Sequence, residues 1–259
     1  MTPIRAFLFL PLWLGFLAVA HSAQDINKDL LIAAREGRIN GAQAALFSGA
    51  DVNTTNTAGR TALMAAASAG NAGMVALLMG EGADVNVADK NGYTALIAAA
   101  SAGRANVCQT LLMRGATINA KSKDGTTALL GAAASGRSDV VRILLAHGAD
   151  PNAKNAEDVT ALHIAASMNN KEVAALLVGR GADVNAKSKD STTPLMQAAF
   201  NGNQDIAQML IFRGADVKAA STGGMTAELA AKTTNQEKFL TFMEETAKLA
   251  EQSGAAAKK

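Results

Sequence analysis

Residues 94–119 read TALIAAASAGRANVCQTLLMRGATIN, and this stretch contains the pattern that decides the fold. Thr94 is a residue type that caps the start of a helix, and Gly103 is the type that ends one because it tolerates a positive φ. Apolar residues then recur at i, i+1, i+4 and i+5, on one face of a 3.6-residue period, until Gly115 ends the second helix. Asn119 favours a tight turn after it. The stretch therefore predicts a helix, a turn, a second helix and a projecting turn.

Two sequence markers repeat along the chain with the same 33-residue period. The first is a Thr followed by a small residue, at Thr61, Thr94, Thr127, Thr160, Thr193 and Thr226. The second is a Gly-Ala pair, beginning at Gly49, Gly82, Gly115, Gly148, Gly181 and Gly214. The offset between the markers is also constant, since 82 minus 61 and 214 minus 193 both equal 21. Constant period and phase indicate a tandem array of one structural unit.

A single unit of this kind has an apolar side on each helix and nothing to cover it, so stability must come from stacked neighbours. The composition agrees, because 49% of residues are hydrophobic but only 4% are aromatic, which favours many small buried faces. One leucine per unit recurs in the second helix and is predicted to form the core between units: Leu78, Leu111, Leu144, Leu177 and Leu210.

The period and the Thr-Pro-Leu form of the marker at residues 193–195 resemble the ankyrin repeat family, whose signature is Thr-Pro-Leu-His-x-Ala. The resemblance covers about residues 25–245. It implies an all-α ankyrin-repeat solenoid of stacked helix-turn-helix units with projecting β-turn fingers. It also implies a protein that binds a partner protein on its concave surface, formed by the fingers and the inner helices.

The repeat phase divides the chain into segments. Residues 25–54 are predicted to be a degenerate N-terminal capping repeat, and residues 55–219 to be five full repeats. Residues 220–245 are predicted to be a C-terminal capping repeat, and residues 246–259 a frayed or disordered tail. Terminal units need a polar outer face, so their departure from the repeat pattern is expected.

The first twenty residues resemble a secretory signal peptide. Arg5 is followed by an uncharged apolar run over residues 6–20, which as a helix would cover about 22 Å, less than the roughly 30 Å hydrocarbon core of a membrane. Small residues precede a predicted cleavage after Ala20, and Ala23 offers a second cleavage site. The alternatives are an uncleaved anchor and an apolar start that arose by chance. With cleavage, we predict a periplasmic or secreted protein that does not insert into a membrane.

The residue inventory argues against several function classes. A net charge of +2 provides no strong field for nucleic acid or an anionic membrane. The single cysteine, Cys108, cannot form an internal disulfide or, alone, a metal site, and sister units have small apolar residues at its position. His163 stands at the histidine of the family signature, where the resemblance implies a structural hydrogen bond between adjacent loops. We therefore predict no catalytic residue, metal site or cofactor.

The resemblance places the partner contacts at the finger tips and at the start of the turn between the two helices. Tyr93, Val159, Met168 and Phe200 are apolar where exposure is expected, and Tyr93 is our first choice for an interface hot spot. The alternative for Met168 and Phe200 is that they fold back onto neighbouring units. The predicted contact residues are Arg60, Lys90, Asn91, Tyr93, Lys123, Asp124, Val159, Met168, Lys189, Asp190 and Phe200.

These observations predict a monomeric, non-catalytic protein-binding scaffold whose partner is another exported protein, most simply in a bacterial periplasm. Two narrower functions stay open. The chain could inhibit or protect a periplasmic enzyme, or it could be an accessory to the oxidative-stress defence of the cell envelope. A hydrolase would need a catalytic constellation that the residues do not offer.

Overall fold

A computed structural model of the protein describes residues 22–234 and 237–252. Fourteen α-helices lie within these residues, in seven consecutive pairs, and no named strand occurs among them. The predicted all-α solenoid is therefore confirmed. The predicted signal peptide, its cleavage after Ala20 and residues 253–259 lie outside the described part of the chain. The pairs are α1 (Ala23–Glu36) with α2 (Ile39–Phe47), α3 (Ala62–Ala69) with α4 (Ala72–Gly80), α5 (Ala95–Ser101) with α6 (Ala105–Met113), α7 (Ala128–Ala134) with α8 (Ser138–Ala146), α9 (Ala161–Ser167) with α10 (Lys171–Gly179), α11 (Pro194–Phe200) with α12 (Gln204–Phe212), and α13 (Ala227–Thr233) with α14 (Glu237–Gln252).

The first helix of each pair, from α3 onward, begins at the threonine of the repeat. The Thr94 side chain accepts a hydrogen bond from the Ile97 backbone N–H at 3.3 Å, and the same capping bond occurs at Thr61, Thr127, Thr193 and Thr226. At Thr160 the backbone N–H donates instead to the His163 ring. The capping bond satisfies one of the N–H groups that a helix start leaves without a partner inside the helix. The predicted capping role of the repeated threonine is therefore confirmed.

The first helix of each pair is the inner helix and the second is the outer helix. The inner helices bury mainly alanine and leucine, and the outer helices bury leucine together with valine, isoleucine and methionine. All five leucines predicted to pack between units are completely buried. Alanine lets backbones approach closely, and in the middle of the stack neighbouring inner helices contact each other far more extensively than neighbouring outer helices. The stack is therefore shorter along its inner-helix side, which makes that side concave.

The projecting turns are joined to one another by backbone hydrogen bonds. Each turn is closed internally, as where the Asp89 N–H donates to the Tyr93 carbonyl at 2.9 Å. Each turn also donates to the preceding one, as where the Lys123 N–H meets the Asn91 carbonyl at 2.8 Å. These bonds recur from one finger to the next and form a continuous ledge along one edge of the concave side.

A ladder of asparagine side chains joins the units a second time. Asn86 Oδ1 accepts from the Thr117 N–H at 2.8 Å, and its Nδ2 donates to the Gly115 carbonyl at 3.1 Å. Asn119, which the sequence predicts only as a turn residue, accepts from the Asp150 N–H at 3.0 Å. The other accepting bonds join Asn27 to Asp51, Asn53 to Asp84, Asn152 to Asp183 and Asn185 to Asp216.

The last helix is longer than the predicted capping repeat. Helix α14 continues to Gln252, so the predicted boundary at residue 245 falls inside it. Thr246 is buried in this helix, together with Phe239 and Met243. Within the described residues α14 is the last helix of the stack, and it packs on α12 and α13. Residues 246–252, part of the segment 246–259 predicted to be a frayed or disordered tail, belong to this helix.

Candidate functional site

Three neighbouring hollows lie along the concave side, each with a volume of about 400 Å³. The first lies over α1 and α3, the second over α3 and α5, and the third over α5, α7 and α9. Arg60 and Ser68 line both the first and the second, while Tyr93 and Ser101 line both the second and the third. The three hollows therefore form one open channel, which we call the concave groove.

The floor of the concave groove has one variable residue per unit. This position, four residues after the capping threonine, holds Ala65, Ala98, Gly131, Ile164 and Gln197 in successive units. Gly131 lies in the third hollow beside Ser101, and a Cβ added to it would come within 2.2 Å of the Ser101 Oγ. The floor is therefore deepest at α7 and is bounded by Ile164 on one side.

Tyr93 forms the partition between the second and third hollows. Its side chain is partly buried and packs against the core, while its backbone N–H donates to Asp89 Oδ1 at 2.9 Å. The predicted hot spot is therefore a wall of the groove, not a fully exposed finger tip. Val159 is likewise partly buried. Of the two, only Tyr93 is among the residues that line the three hollows.

Met168 and Phe200 are exposed, by 59% and 49%. Phe200 occupies the repeat position of Ser68 and Ser101, which line the hollows, and Met168 occupies the position of Ala69 and Ala102. The repeat period thus puts both at groove-lining positions, further along the stack than the third hollow. About half of each side chain is accessible to a partner.

The charged finger residues differ in how far their side chains are already engaged. Ser122 and Thr126 donate hydrogen bonds to the Asp124 carboxylate and hold its pKa below the usual range. The Asp190 carboxylate accepts equivalent bonds in its own turn, first from Ser188 and then from Thr192, and its pKa is also lowered. These two carboxylates stabilise their turns. The sequence did not reveal this use of them.

The other finger residues predicted to contact a partner lie on the surface: Arg60, Lys90, Asn91, Lys123 and Lys189 are all exposed. The Lys189 ammonium lies 3.7 Å from the carboxylate of Glu157 on the neighbouring finger. A surface pair of this kind is worth under about 1 kcal/mol, so it leaves the lysine available for exchange with a partner.

His163 has a structural arrangement. Its Nδ1 accepts from the Thr160 backbone N–H at 3.2 Å, so the other ring nitrogen carries the proton. Nε2 then donates to the Thr192 carbonyl of the next finger at 2.9 Å. Burial lowers the pKa of His163, while the bond to Thr192 acts in the opposite direction. The ring therefore links two units as a neutral donor and acceptor.

Cys108 is completely buried in the core of α6. Burial, assisted by the charge of Asp139, raises the pKa of its thiol to about 12, so a thiolate nucleophile does not form there near neutral pH. Among the described residues, no group of His, Cys, Asp and Glu side chains is arranged to hold a metal ion. In the same part of the chain no helix has the length and apolar character needed to cross a membrane.

Comparison with known proteins agrees with this geometry. A family model described as ankyrin repeats, in three copies, matches residues 30–122 and 129–221, which together are well over half of the chain. No curated protein matches the sequence. Ankyrin repeats generally mediate interactions between proteins, and the family is typically not enzymatic. The chain belongs to the ankyrin-repeat family.

Proposed function

We propose that this chain is a non-catalytic scaffold that binds another exported protein along the concave groove, outside the cytoplasm and most simply in a bacterial periplasm. The observation that carries the proposal is the continuity of the groove, in which neighbouring hollows share Arg60, Ser68, Tyr93 and Ser101 as walls. A continuous channel across five inner helices offers a partner many small contacts on a rigid platform.

The shape of the groove favours a protein over a small molecule. Sites for small molecules enclose most of the surface of their ligand, commonly about 70–90% or more. The concave groove is instead open along its length. Beyond the third hollow, the exposed apolar residues Met168 and Phe200 extend the same side of the stack. Such a surface suits a partner that contributes about 800 Å², the usual contribution to a stable protein interface.

The sequence of residues 1–20 supports export, and one contact at the start of α1 favours one of the two cleavage sites. Ser22 is the N-cap of α1, and its Oγ accepts from the Asp25 N–H at 3.2 Å. Cleavage after Ala20 leaves this cap in the mature chain, whereas cleavage after Ala23 removes it, and loss of an N-cap costs about 1 kcal/mol. We therefore expect terminal sequencing of the exported protein to begin at His21. A chain that begins at Gln24, or one that retains Met1, would contradict this part of the proposal.

The binding function is tested by affinity capture from a periplasmic extract of the source organism, with the chain from His21 onward as bait. The test variant carries Met168→Ala and Phe200→Ala. The control carries Met113→Ala and Phe47→Ala, which remove the same side chains from the ends of outer helices, where they are 74% and 94% exposed. Truncation of apolar anchors at an interface costs more than about 1.4 kcal/mol, a factor of ten in affinity.

We expect the test variant to lose the captured protein at least tenfold and the control to retain it. Equal capture by the two variants would contradict binding on the concave side. If the captured protein is an enzyme, its activity and its survival of oxidation with and without the scaffold distinguish inhibition, protection and an accessory role in stress defence. Light scattering of the free chain tests whether it is a monomer.

A further inference from the structure

The first hollow of the concave groove is basic. Lys28 and Arg35 from α1 and Arg60 from the finger before α3 line it, beside the partly buried apolar side chains of Leu31 and Ile32. Among the residues that the structure describes around this hollow, none is Asp or Glu. We call these three cations and two apolar residues the basic hollow.

Three carboxylates in the surroundings of the basic hollow have partners of their own. Glu36 lies 2.7 Å from the Arg38 guanidinium and 3.9 Å from that of Arg35. Asp89, in the second hollow, accepts the backbone N–H groups of Asn91 and Tyr93, both at 2.9 Å. The carboxylate of Asp25 accepts from the Ser22 hydroxyl at 2.7 Å. Of these three carboxylates, Glu36 is paired with Arg35 of the basic hollow, at a longer distance than with Arg38.

The cations of the groove lining are confined to its first part. The third hollow is lined by no charged residue, and the second adds only Asp89 to Arg60. Glu157 and Asp158, on the finger before α9, line none of the three hollows, and the Lys189 ammonium lies 3.7 Å from the Glu157 carboxylate. Since the whole chain has a net charge of only +2, the basic hollow is a local property and not that of an overall basic protein.

We propose that the basic hollow binds an acidic segment of the partner protein, with carboxylates on Arg35, Arg60 and Lys28 and an apolar side chain against Leu31 and Ile32. This inference rests on the proposed function and adds the chemistry and the direction of the bound segment. Guanidinium groups pair with carboxylates through two parallel hydrogen bonds, which fixes orientation as well as charge. The acidic end of the segment lies over α1, and its remainder runs toward α9.

Nucleic acid fits the same surface less well. Duplex DNA presents one charge per about 1.7 Å of its axis and is bound by many phosphate contacts in a row. Beyond the basic hollow the lining of the groove adds no further cation, and the third hollow is lined by uncharged residues such as Tyr93 and Ile164, so the row of cations in the groove ends after two units.

The test is selection of random dodecapeptides displayed on phage, with the chain from His21 onward as target. We expect the selected peptides to be enriched in Asp and Glu next to an apolar residue. Synthetic copies should bind at least tenfold more weakly to the charge-reversed variant Lys28→Glu, Arg35→Glu, Arg60→Glu. The neutral variant Lys28→Gln, Arg35→Gln, Arg60→Gln should also bind them more weakly. A second selection on the charge-reversed variant should yield basic peptides.

The matched control reverses three exposed arginines at the ends of outer helices, Arg114→Glu, Arg180→Glu and Arg213→Glu, and so changes the net charge by the same amount. It should bind the acidic peptides as the unaltered chain does. Circular dichroism checks that each variant is folded. A short DNA duplex and vesicles of phosphatidylcholine and phosphatidylglycerol in a two-to-one ratio serve as anionic probes and should not bind.

Several results would overturn the inference. These are peptides without acidic enrichment, the same loss in control and charge-reversed variants, no peptide at all, or binding of the duplex or vesicles that the charge reversal abolishes. Selected non-acidic peptides that still compete with the captured periplasmic protein would defeat only this inference. Capture of no protein at all, or equal capture by the Met168→Ala, Phe200→Ala variant and its control, would defeat the proposed function itself.

Discussion

Gly131 and Gly148 illustrate two different structural reasons for a glycine, namely close packing and a left-handed backbone. Gly131 lies inside α7, a conformation that any residue adopts, but an added Cβ would come within 2.2 Å of the Ser101 Oγ. Gly148 has φ of +86°, and a Cβ there would meet no atom within 4 Å. One position is crowded with an ordinary backbone, and the other is spacious with a left-handed backbone. Substitution by Ala should therefore have opposite effects on the free energy of unfolding.

The Gly131→Ala substitution should stabilise the protein. Ala is better than Gly in a helix interior by about 0.8–1 kcal/mol. The close atom is the hydroxyl of a serine, which can rotate about χ1. The preceding unit already has the combination that the substitution would create, because Ala98 and Ser68 stand at the positions equivalent to Gly131 and Ser101. We expect a gain of about 0.5–1 kcal/mol, whereas Gly148→Ala should cost about 1–2 kcal/mol through its left-handed backbone.

Urea unfolding followed by circular dichroism at the helix band measures both changes. For a chain of this size, about 1 kcal/mol corresponds to a shift of about 2–4 °C in the thermal midpoint. The variant Gly131→Ala with Ser101→Ala removes the hydroxyl that lies closest and leaves the Cβ of residue 101 at 3.3 Å, so it should be no less stable than Gly131→Ala alone. The reasoning is refuted if Gly131→Ala destabilises the protein by more than about 1 kcal/mol and the Ser101 change does not restore it, or if Gly148→Ala is stabilising.

Three other predictions concern the core. Leu144→Ala removes a fully buried side chain of α8, which packs between α6 and α10, and should lower the free energy of unfolding in urea by about 2–5 kcal/mol. The control Leu229→Ala, at an exposed position, should lower it by under about 1 kcal/mol. Equal losses would contradict the predicted core. His163 has a lowered pKa when folded, so the unfolded chain binds the proton more readily and stability should fall as the pH drops below about 6.5. Denaturation curves of His163→Leu should lack that part of the pH dependence, and an unchanged dependence would count against the buried neutral ring. Cys108 should react with a maleimide only in urea, because its thiol is buried and its pKa is raised to about 12. Rapid labelling of the folded protein would contradict the burial of this thiol.

The sequence was sufficient for the helices because their boundaries are set locally. A threonine cap and a glycine stop act on the residues beside them, so the regular recurrence of both markers determines the units. The end of α14 could also have been predicted from the same rule. No glycine occurs between residues 237 and 252, and the next one is Gly254, so nothing of this type ends the helix at Glu245.

The surface was less predictable because it depends on distances between units. Asn119 reads as a turn residue, and only the stack shows that its side chain bonds to the following unit. The basic hollow joins Lys28 and Arg35, in a degenerate unit without the threonine marker, to Arg60 on the next finger. The recurrence of Asn at one fixed position in successive units was a sign of the ladder. The basic hollow had no comparable sign in the sequence.

The division between fold and function follows from the period itself. A residue that recurs through the five full repeats, such as Thr94 or Leu111, has a structural role that these repeats share, namely a helix start or a buried contact with the next unit. A position that is accessible in the groove and differs from unit to unit has no such shared role. Gly131, Phe200 and the three cations of the basic hollow are at positions of this kind. Binding specificity should therefore change when these residues change, while the largest losses in the free energy of unfolding should come from changes at the recurrent ones.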